Sequence, residues 1–273
     1  MDVSHFELIF KPQAPSAPAG LPNVDRVLQG YFLEITNVED TEYLYRLEFV
    51  ISPPPPGTPN QAFRTLAGNT IVFVDTPGTD NQQGILTGGL ATSVFRPSTG
   101  FVRVPPGGTA LVAVLPSAFG PVPGDPTPLV VPNFEVRGYV RIELPALFDF
   151  PSFSFVPQSV DPVTVLLTPQ NRATYLTAAN TISDQTQASL PLASGQAHNS
   201  LDPEPGGPIV FPGVFPDISA EIADLLQETP LESRAELLAV LMAQIDPETA
   251  DLTAFNKALA NAKIPMAIER RTL

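Results

Sequence analysis

The sequence predicts a mainly β protein: an antiparallel β-sandwich followed by an α-helical segment at the C-terminal end. Three observations support this fold class. Short runs of β-branched and aromatic residues alternate with polar residues over the first two-thirds of the chain, as expected for half-buried strands. The 33 prolines and 18 glycines cluster between these runs, where turns are needed. The last part of the chain carries alanine, leucine and glutamate at helical spacing.

The clearest strand pattern lies between residues 43 and 51. Apolar side chains at alternate positions from Tyr43 to Ile51 share one face, and the other face includes Arg46 and Glu48. A period of two with one more polar face is typical of a half-buried antiparallel strand. Clusters such as Pro105–Gly108 separate the runs, because proline cannot continue a central strand. The predicted strands are Phe6–Phe10, Tyr31–Thr36, Tyr43–Ile51, Thr70–Asp75, Gly100–Val104, Ala110–Leu115, Phe134–Leu144, Val163–Leu167 and Arg172–Ala178.

Two segments resemble parts of a known class of module. The run Ile35–Thr41, followed by a long alternating strand, looks like the opening hairpin of bacterial Ig-like sandwich modules. The run Val104–Thr109, followed by the predicted strand Ala110–Leu115, is similar to the proline-glycine turn and strand that these modules carry later. The resemblance implies an Ig-like β-sandwich and says nothing about function. The lack of tryptophan and cysteine departs from antibody-type Ig domains.

Composition excludes most catalytic chemistry that depends on cysteine or histidine. The chain has no cysteine and two histidines, His5 and His198. A cysteine nucleophile, a thiolate metal site and a three-histidine zinc site are therefore impossible within one chain. A Ser-His-Asp triad would have to use one of these two histidines, and neither has neighbours that suggest a triad or a ligand set. We expect both to be surface residues, and we expect no cofactor.

The acidic charge and the lack of long apolar runs limit the partners and the location that we expect for this protein. A net charge of −14 and a pI near 4.4 disfavour binding to nucleic acid or to an anionic membrane surface. No apolar run reaches the ~20 residues that a membrane span needs. The first ten residues lack the basic and apolar regions of a secretory signal, so a cytoplasmic location is the default expectation and leaderless secretion is the alternative.

Composition divides the chain into three parts. Residues 1–182 hold the predicted strands and form the predicted β-sandwich domain. Residues 183–215 are polar and contain proline, glycine and serine without a sustained period, which predicts a connector. Residues 216–273 form the predicted helical segment, in which Thr229 caps a helix that begins at Pro230.

The predicted helices present apolar stripes that could carry an interaction. Leu238 and Met242 lie on the apolar side of the helix predicted over 230–245, and Phe255 lies on that of the next helix. Helices this short are marginal by themselves, so the stripes are expected to pack against another surface. That surface belongs to the same chain or to another molecule, and the sequence leaves both open.

Two acidic loops offer weak candidates for a calcium site. Asp75, Asp80 and Asn81 fall within one predicted loop and are hard oxygen ligands. A second cluster, Glu39–Glu42, lies in a predicted turn. Neither has the ligand spacing of an EF-hand loop, so carboxylates solvated at turns are the favoured interpretation of both.

A charged strip is expected along the strand Phe134–Leu144. Arg137, Tyr139, Arg141 and Glu143 alternate with apolar residues and therefore share a face. The strip could bind a carboxylate or an acidic partner. The favoured interpretation is a solvent-facing strand with cross-strand ion pairs.

The sequence therefore favours a non-enzymatic structural or protein-interaction module, with self-association as one form of that interaction. The motivation is the missing catalytic chemistry together with abundant strand and an appended amphipathic segment. The first alternative is a carbohydrate- or calcium-binding β-sandwich module. The second is a hydrolase that uses carboxylates only, for which Glu135 and Glu143 are too far apart along one strand to act together.

Overall fold

The protein is mainly β and antiparallel in a computed structural model, as the sequence predicts. The structure describes residues 1–13, 25–52, 65–89, 93–118, 133–149, 154–179 and 181–208. Across these stretches it contains sixteen strands and no helix. The chain divides into two units, the first made of Met1–Ala146 and Pro157–Glu204, the second of Leu147–Val156 and Pro205–Leu273.

The strands follow the predicted order, with several additions. They are β1 (Asp2–Pro12), β2 (Arg26–Asn37), β3 (Tyr43–Ile51), β4 (Thr70–Asp75), β5 (Gln82–Gly84), β6 (Leu86–Gly89), β7 (Val94–Pro97), β8 (Val102–Val104), β9 (Thr109–Pro116), β10 (Phe134–Glu143), β11 (Leu147–Asp149), β12 (Ser154–Val156), β13 (Val163–Leu176), β14 (Ile182–Ser189), β15 (His198–Leu201) and β16 (Gly207–Pro208).

The first unit is built on one thirteen-stranded antiparallel sheet. Its main path runs β5-β4-β9-β2-β1-β10-β3-β7-β6, and β8 pairs with β3. β13 pairs with β2 from Val165 to Leu176 and carries β14 and β15 on its other side. This antiparallel arrangement is consistent with a β-sandwich.

The sheet branches at the middle of β2. Residues Arg26–Gln29 pair with β1, whereas Tyr31–Thr36 pair with β9. Gly30 lies between the two segments, and a Cβ atom there would be 2.3 Å from Leu115 Cδ2 and 2.9 Å from the carbonyl oxygen of Val114. A residue without a side chain is therefore required for β9 to approach β2 where the sheet branches.

The second unit includes a small sheet of its own among the described residues. β11, β12 and β16 pair antiparallel in that order. Phe148 and Phe155 lie opposite each other on β11 and β12, with ring centroids 5.6 Å apart in an edge-to-face arrangement. Such a cross-strand aromatic pair stabilises a short sheet.

Inward side chains from eleven strands form one core in the first unit. Its centre is an aromatic cluster of Phe6, Tyr31 and Phe49, whose rings meet edge to face at centroid distances of 5.6–6.2 Å. The buried Tyr31 hydroxyl shares a hydrogen bond of 2.9 Å with Ser4 Oγ. The Tyr31 hydroxyl can therefore be buried at the centre of the core, because Ser4 on β1 satisfies its hydrogen bond.

Loss of the side-chain hydroxyl is expected to change the free energy of unfolding differently at two buried tyrosines, Tyr31 and Tyr45. The Tyr45 hydroxyl is buried and makes no hydrogen bond within the described part of the chain, unlike that of Tyr31. We expect Tyr31→Phe to lower the free energy of unfolding by about 1–2 kcal/mol, because Ser4 loses its partner, and Tyr45→Phe to leave it unchanged or raise it. Urea unfolding of both variants measures this difference, and equal losses would contradict it.

Three strands lie in the stretch that the sequence predicts as a connector: most of β14, β15 and β16. β14 begins at Ile182 and pairs with β13 over Gln170–Leu176, while β15 pairs with Val163–Leu166. Much of the stretch 183–201 is therefore strand that the sequence pattern does not reveal. The helices predicted over 216–273 lie outside the described residues.

Candidate interaction surfaces

The predicted charged strip lies on the outward face of β10 and is ion-paired across the sheet. Arg137 pairs with Glu7 on β1 and with Glu135, 2.6 Å away on its own strand. Arg141 contacts Asp2 at 3.3 Å and Glu48 on β3 at 3.2 Å. The arginines of this strip therefore have carboxylate partners within the protein.

Tyr139 is the exposed aromatic residue of the strip. Its side chain is 37% exposed, and it lies opposite His5 on β1 and Val50 on β3. The Arg141 guanidinium lies 5.8 Å from the centre of its ring, within range of a cation–π contact. A partner for Arg137, Tyr139 and Arg141 stays a prediction, since the observed contacts are internal.

The carboxylates considered for hydrolysis are held by basic side chains. Glu135 contacts Lys11 and Arg137. Glu143 accepts a 3.1 Å hydrogen bond from Arg46, which also binds Glu204 through both terminal nitrogens at 2.8 and 3.0 Å. Each of these two carboxylates therefore serves in a structural ion pair.

Side chains in and next to the turn at Glu39 connect neighbouring strands by hydrogen bonds. Asn37 is buried and donates hydrogen bonds to the carbonyl oxygens of Thr41, Val104 and Pro105 at 2.7–3.3 Å. Glu39 accepts a hydrogen bond of 2.7 Å from the main-chain N–H of Thr164. This contact connects the β2–β3 turn to the start of β13.

The calcium candidates Asp75, Asp80 and Asn81 lie at and after the exposed end of β4. The turn between them is closed by hydrogen bonds from Thr79 to the carbonyl oxygen of Thr76, at 3.1 and 3.2 Å. Across the described stretches, no group of three or more histidine, aspartate or glutamate residues is placed to hold a metal. Calcium binding by the three candidates stays a prediction.

Two groups of residues singled out in the sequence remain, the apolar residues of the predicted helices and the two histidines. Leu238, Met242 and Phe255 lie outside the described residues. His5 and His198 are exposed on β1 and β15.

The outward faces of β4, β9 and β2 carry an apolar patch, beside which Glu34 of β2 pairs with Arg172 of β13 at 3.9 Å. Phe73 lies beside Ala113 on β9, which lies beside Phe32 on β2, and Ile71 lies beside Leu115. These side chains alternate with the core residues of the same strands; Ala113 is buried and the other four are half-buried. The first unit therefore presents two outer surfaces of different chemistry.

β14 is an edge strand, and the sequence analysis did not predict it. β13 is its one strand partner among the residues that the structure describes. All eight of its residues are exposed, and Ile182 is 63% exposed. A strand paired on one side directs half of its main-chain N–H and C=O groups away from its partner, so the outer edge of β14 is open to a further strand.

Side-chain contacts hold β14 in place against β13. The Gln187 amide donates to Gln170 Oε1 at 2.8 Å, and the Gln185 amide donates to Thr174 Oγ1 at 3.3 Å. At the turn that precedes β14, the hydroxyls of Thr177 and Thr181 lie 2.6 Å apart. The exposed edge is therefore ordered before anything binds to it, which lowers the entropy lost on binding.

The edge lacks most of the devices that keep strands from pairing with other chains. Proteins commonly block an exposed edge with lysine, proline, an inward charge or a bulge. The sequence of β14, ISDQTQAS, contains no lysine, arginine or proline and one charged residue, Asp184. A shift in its register with β13 occurs between Asp184 and Ile182, so the segment from Asp184 to Ser189 is regular.

No protein-family model, curated protein or solved structure matches this chain. The Ig-like resemblance of residues 35–115 therefore stays a prediction. Within the described stretches, the structure contains no helix of the length and hydropathy needed to cross a bilayer.

Proposed function

We propose that this protein is a non-enzymatic structural or protein-interaction module that binds its partner by strand addition at β14. The observation that carries the proposal is the open outer edge of that strand, exposed along all eight residues. Strand addition supplies main-chain hydrogen bonds for affinity, and side chains at alternate positions supply selectivity. The missing cysteine chemistry and the internal pairing of Glu135 and Glu143 support a non-enzymatic role.

We also propose the finer features of the fold. An Ig-like sandwich is supported by the long antiparallel strands around one core and by the turn at Asn37, which the sequence resemblance includes. An α-helical segment over 216–273 is supported by its capping residues and apolar stripes, which are features of the sequence.

A strand-shaped peptide tests whether the β14 edge accepts a partner. The probe is a fluorescent peptide with the sequence of residues 181–190, titrated with the full chain up to about 1 mM, where binding worth about 4 kcal/mol is half complete. Two further peptides carry N-methyl groups at alternate residues, Ser183, Gln185 and Gln187 in one and Asp184, Thr186 and Ala188 in the other. Fluorescence anisotropy reports the affinity of each.

We expect the unmodified peptide to bind and one of the two methylated peptides to lose binding. An added strand turns the N–H groups of one alternate set toward its neighbour, so methylation of that set removes the hydrogen bonds while methylation of the other set is tolerated. No binding by the unmodified peptide would contradict the proposal. Equal binding by all three peptides would also contradict it, because main-chain hydrogen bonds would then play no part.

A further inference from the structure

We infer that the partner strand is β14 of a second copy of this chain, paired antiparallel so that Gln185 of one copy lies opposite Gln185 of the other. This inference rests on the proposed function and names the partner at the same edge. Two identical edges joined in this way form an isologous twofold interface, the commonest symmetry of protein dimers. The result is a continuous sheet that extends across both copies.

Symmetry limits the possible registers to a few. A twofold axis that continues the sheet is perpendicular to it, and opposite residues must point to the same face. The axis therefore lies at a residue that is opposite its own copy, and axes at positions 184 to 187 keep at least five of the eight residues of β14 opposite residues of the same strand. The side chains at these positions are Asp184, Gln185, Thr186 and Gln187.

The single charge on the strand selects the axis at Gln185. An axis at Asp184 places two carboxylates directly opposite each other, which is destabilising. An axis at Thr186 places the carboxylate opposite the methyl group of Ala188, and an axis at Gln187 places it opposite Leu190. The axis at Gln185 places Asp184 opposite Thr186. Asp184 Oδ1 already accepts a hydrogen bond of 2.8 Å from the main-chain N–H of Gln185, so the Thr186 hydroxyl donates to Oδ2, and this contact forms twice.

The composition of the edge favours a second copy over a different protein of opposite charge. Apart from Asp184, every side chain of the strand is uncharged, so the edge has little to offer a basic partner. The glutamine, serine and threonine side chains both donate and accept hydrogen bonds, which makes the strand complementary to itself. Each copy carries a net charge of −14, so repulsion between copies opposes pairing at long range.

Charge substitutions at Thr186 test the partner and the register together. In the inferred register, Thr186→Asp places a carboxylate opposite Asp184 of the second copy, and Thr186→Lys places an ammonium there. We expect Thr186→Asp to raise the dimer dissociation constant about tenfold or more and Thr186→Lys to leave it unchanged or lower it. Sedimentation equilibrium of the full chain over a range of concentrations measures this constant. Val160→Asp and Val160→Lys are the matched controls, because Val160 is 96% exposed and lies outside any strand.

Each outcome decides a separate part of the inference. A chain that stays monomeric at concentrations where the 181–190 peptide binds would overturn the second copy as partner while strand addition stands. Weaker association in both Thr186 variants would overturn the register and place the axis at Thr186. Equal changes in the Val160 controls would show that net charge alone governs association, and the inference would fall.

Two further readouts strengthen the same test. The chain has no cysteine, so Gln185→Cys introduces a single thiol, and we expect it to form a disulfide-linked dimer under mild oxidation much faster than Val160→Cys does. Dimerisation is expected to strengthen as salt rises from low ionic strength, because salt screens the repulsion between two acidic copies. Cross-linking at equal rates, or dimerisation that weakens with salt, would overturn the inference.

Discussion

Replacement of Gly138 by alanine is expected to lower the free energy of unfolding by about 3 kcal/mol, the upper range for overpacking. Gly138 lies in β10 between Phe6 on β1 and Ile51 on β3. A Cβ atom at this position would be 2.0 Å from the carbonyl oxygen of Val50 and 2.9 Å from Phe6 Cε1. The first of these atoms belongs to the main chain of β3, so the strand itself must move to make room.

Urea unfolding of Gly138→Ala measures the loss, with Gly207→Ala as the control. A Cβ atom at Gly207 would meet nothing within 4 Å, so its replacement is expected to change the free energy of unfolding by less than about 0.5 kcal/mol. A loss below about 1 kcal/mol at Gly138 would show that β10 and β3 can separate at low cost, against the packing described here.

Apolar inward positions and marked ends explain why some strands could be predicted to the residue. β3 and β4 have the predicted bounds, Tyr43–Ile51 and Thr70–Asp75. In both, apolar side chains at alternate positions enter the core, and charged or turn residues follow at once. Where inward positions are apolar and the ends are marked, the sequence pattern alone is sufficient.

Tertiary pairing explains a strand that the sequence divides in two. The predictions Val163–Leu167 and Arg172–Ala178 stop on either side of Pro169, because proline has no N–H group to donate to a neighbouring strand. In the structure β13 runs through Pro169, which lies opposite Leu33 on β2, and its carbonyl oxygen accepts a hydrogen bond from Leu190. The pairing on both sides of this residue outweighs the one donor that it lacks.

The interaction edge could not be predicted because nothing in its sequence alternates. Every residue of β14 is exposed, so no position requires an apolar side chain, and ISDQTQAS has the composition of a loop. What makes it a strand is β13, whose residues Gln170–Leu176 supply the main-chain partners. Single-sequence reasoning has no access to that long-range pairing.

Glu48 shows how an unpredicted strand changes the environment of a predicted residue. Alternation places Glu48 on the more polar face of β3, with Arg46. The structure buries its side chain to 7% exposure, because Arg96 on β7 contacts Oε1 at 2.8 Å and Arg141 on β10 contacts Oε2 at 3.2 Å. The pattern gives the face correctly, whereas the burial depends on a strand, β7, that the sequence analysis does not include.

We therefore expect Glu48→Ala to lower the free energy of unfolding by about 2–3 kcal/mol. Removal of one partner of a buried ion pair costs about 3–5 kcal/mol, because the remaining charge loses its compensation. The value here is placed lower because Arg141 keeps its contact with Asp2, and because Arg96 and Arg141 are 37% and 34% exposed and regain some hydration. Thermal and urea unfolding of the variant at neutral pH measure the loss.

The pair between Glu42 and Arg103 provides the control, since it is an exposed ion pair with one arginine, whereas Glu48 is buried between two. These side chains are 39% and 61% exposed at a distance of 3.1 Å, so Glu42→Ala is expected to cost less than about 0.5 kcal/mol. Glu48→Gln keeps the shape of the side chain and an acceptor for one arginine, so its loss should fall between the two alanine variants. Equal losses for Glu42→Ala and Glu48→Ala would mean that the enclosure of Glu48 by β7 and β10 contributes nothing, and that the ion pairs across this face are no stronger than exposed ones.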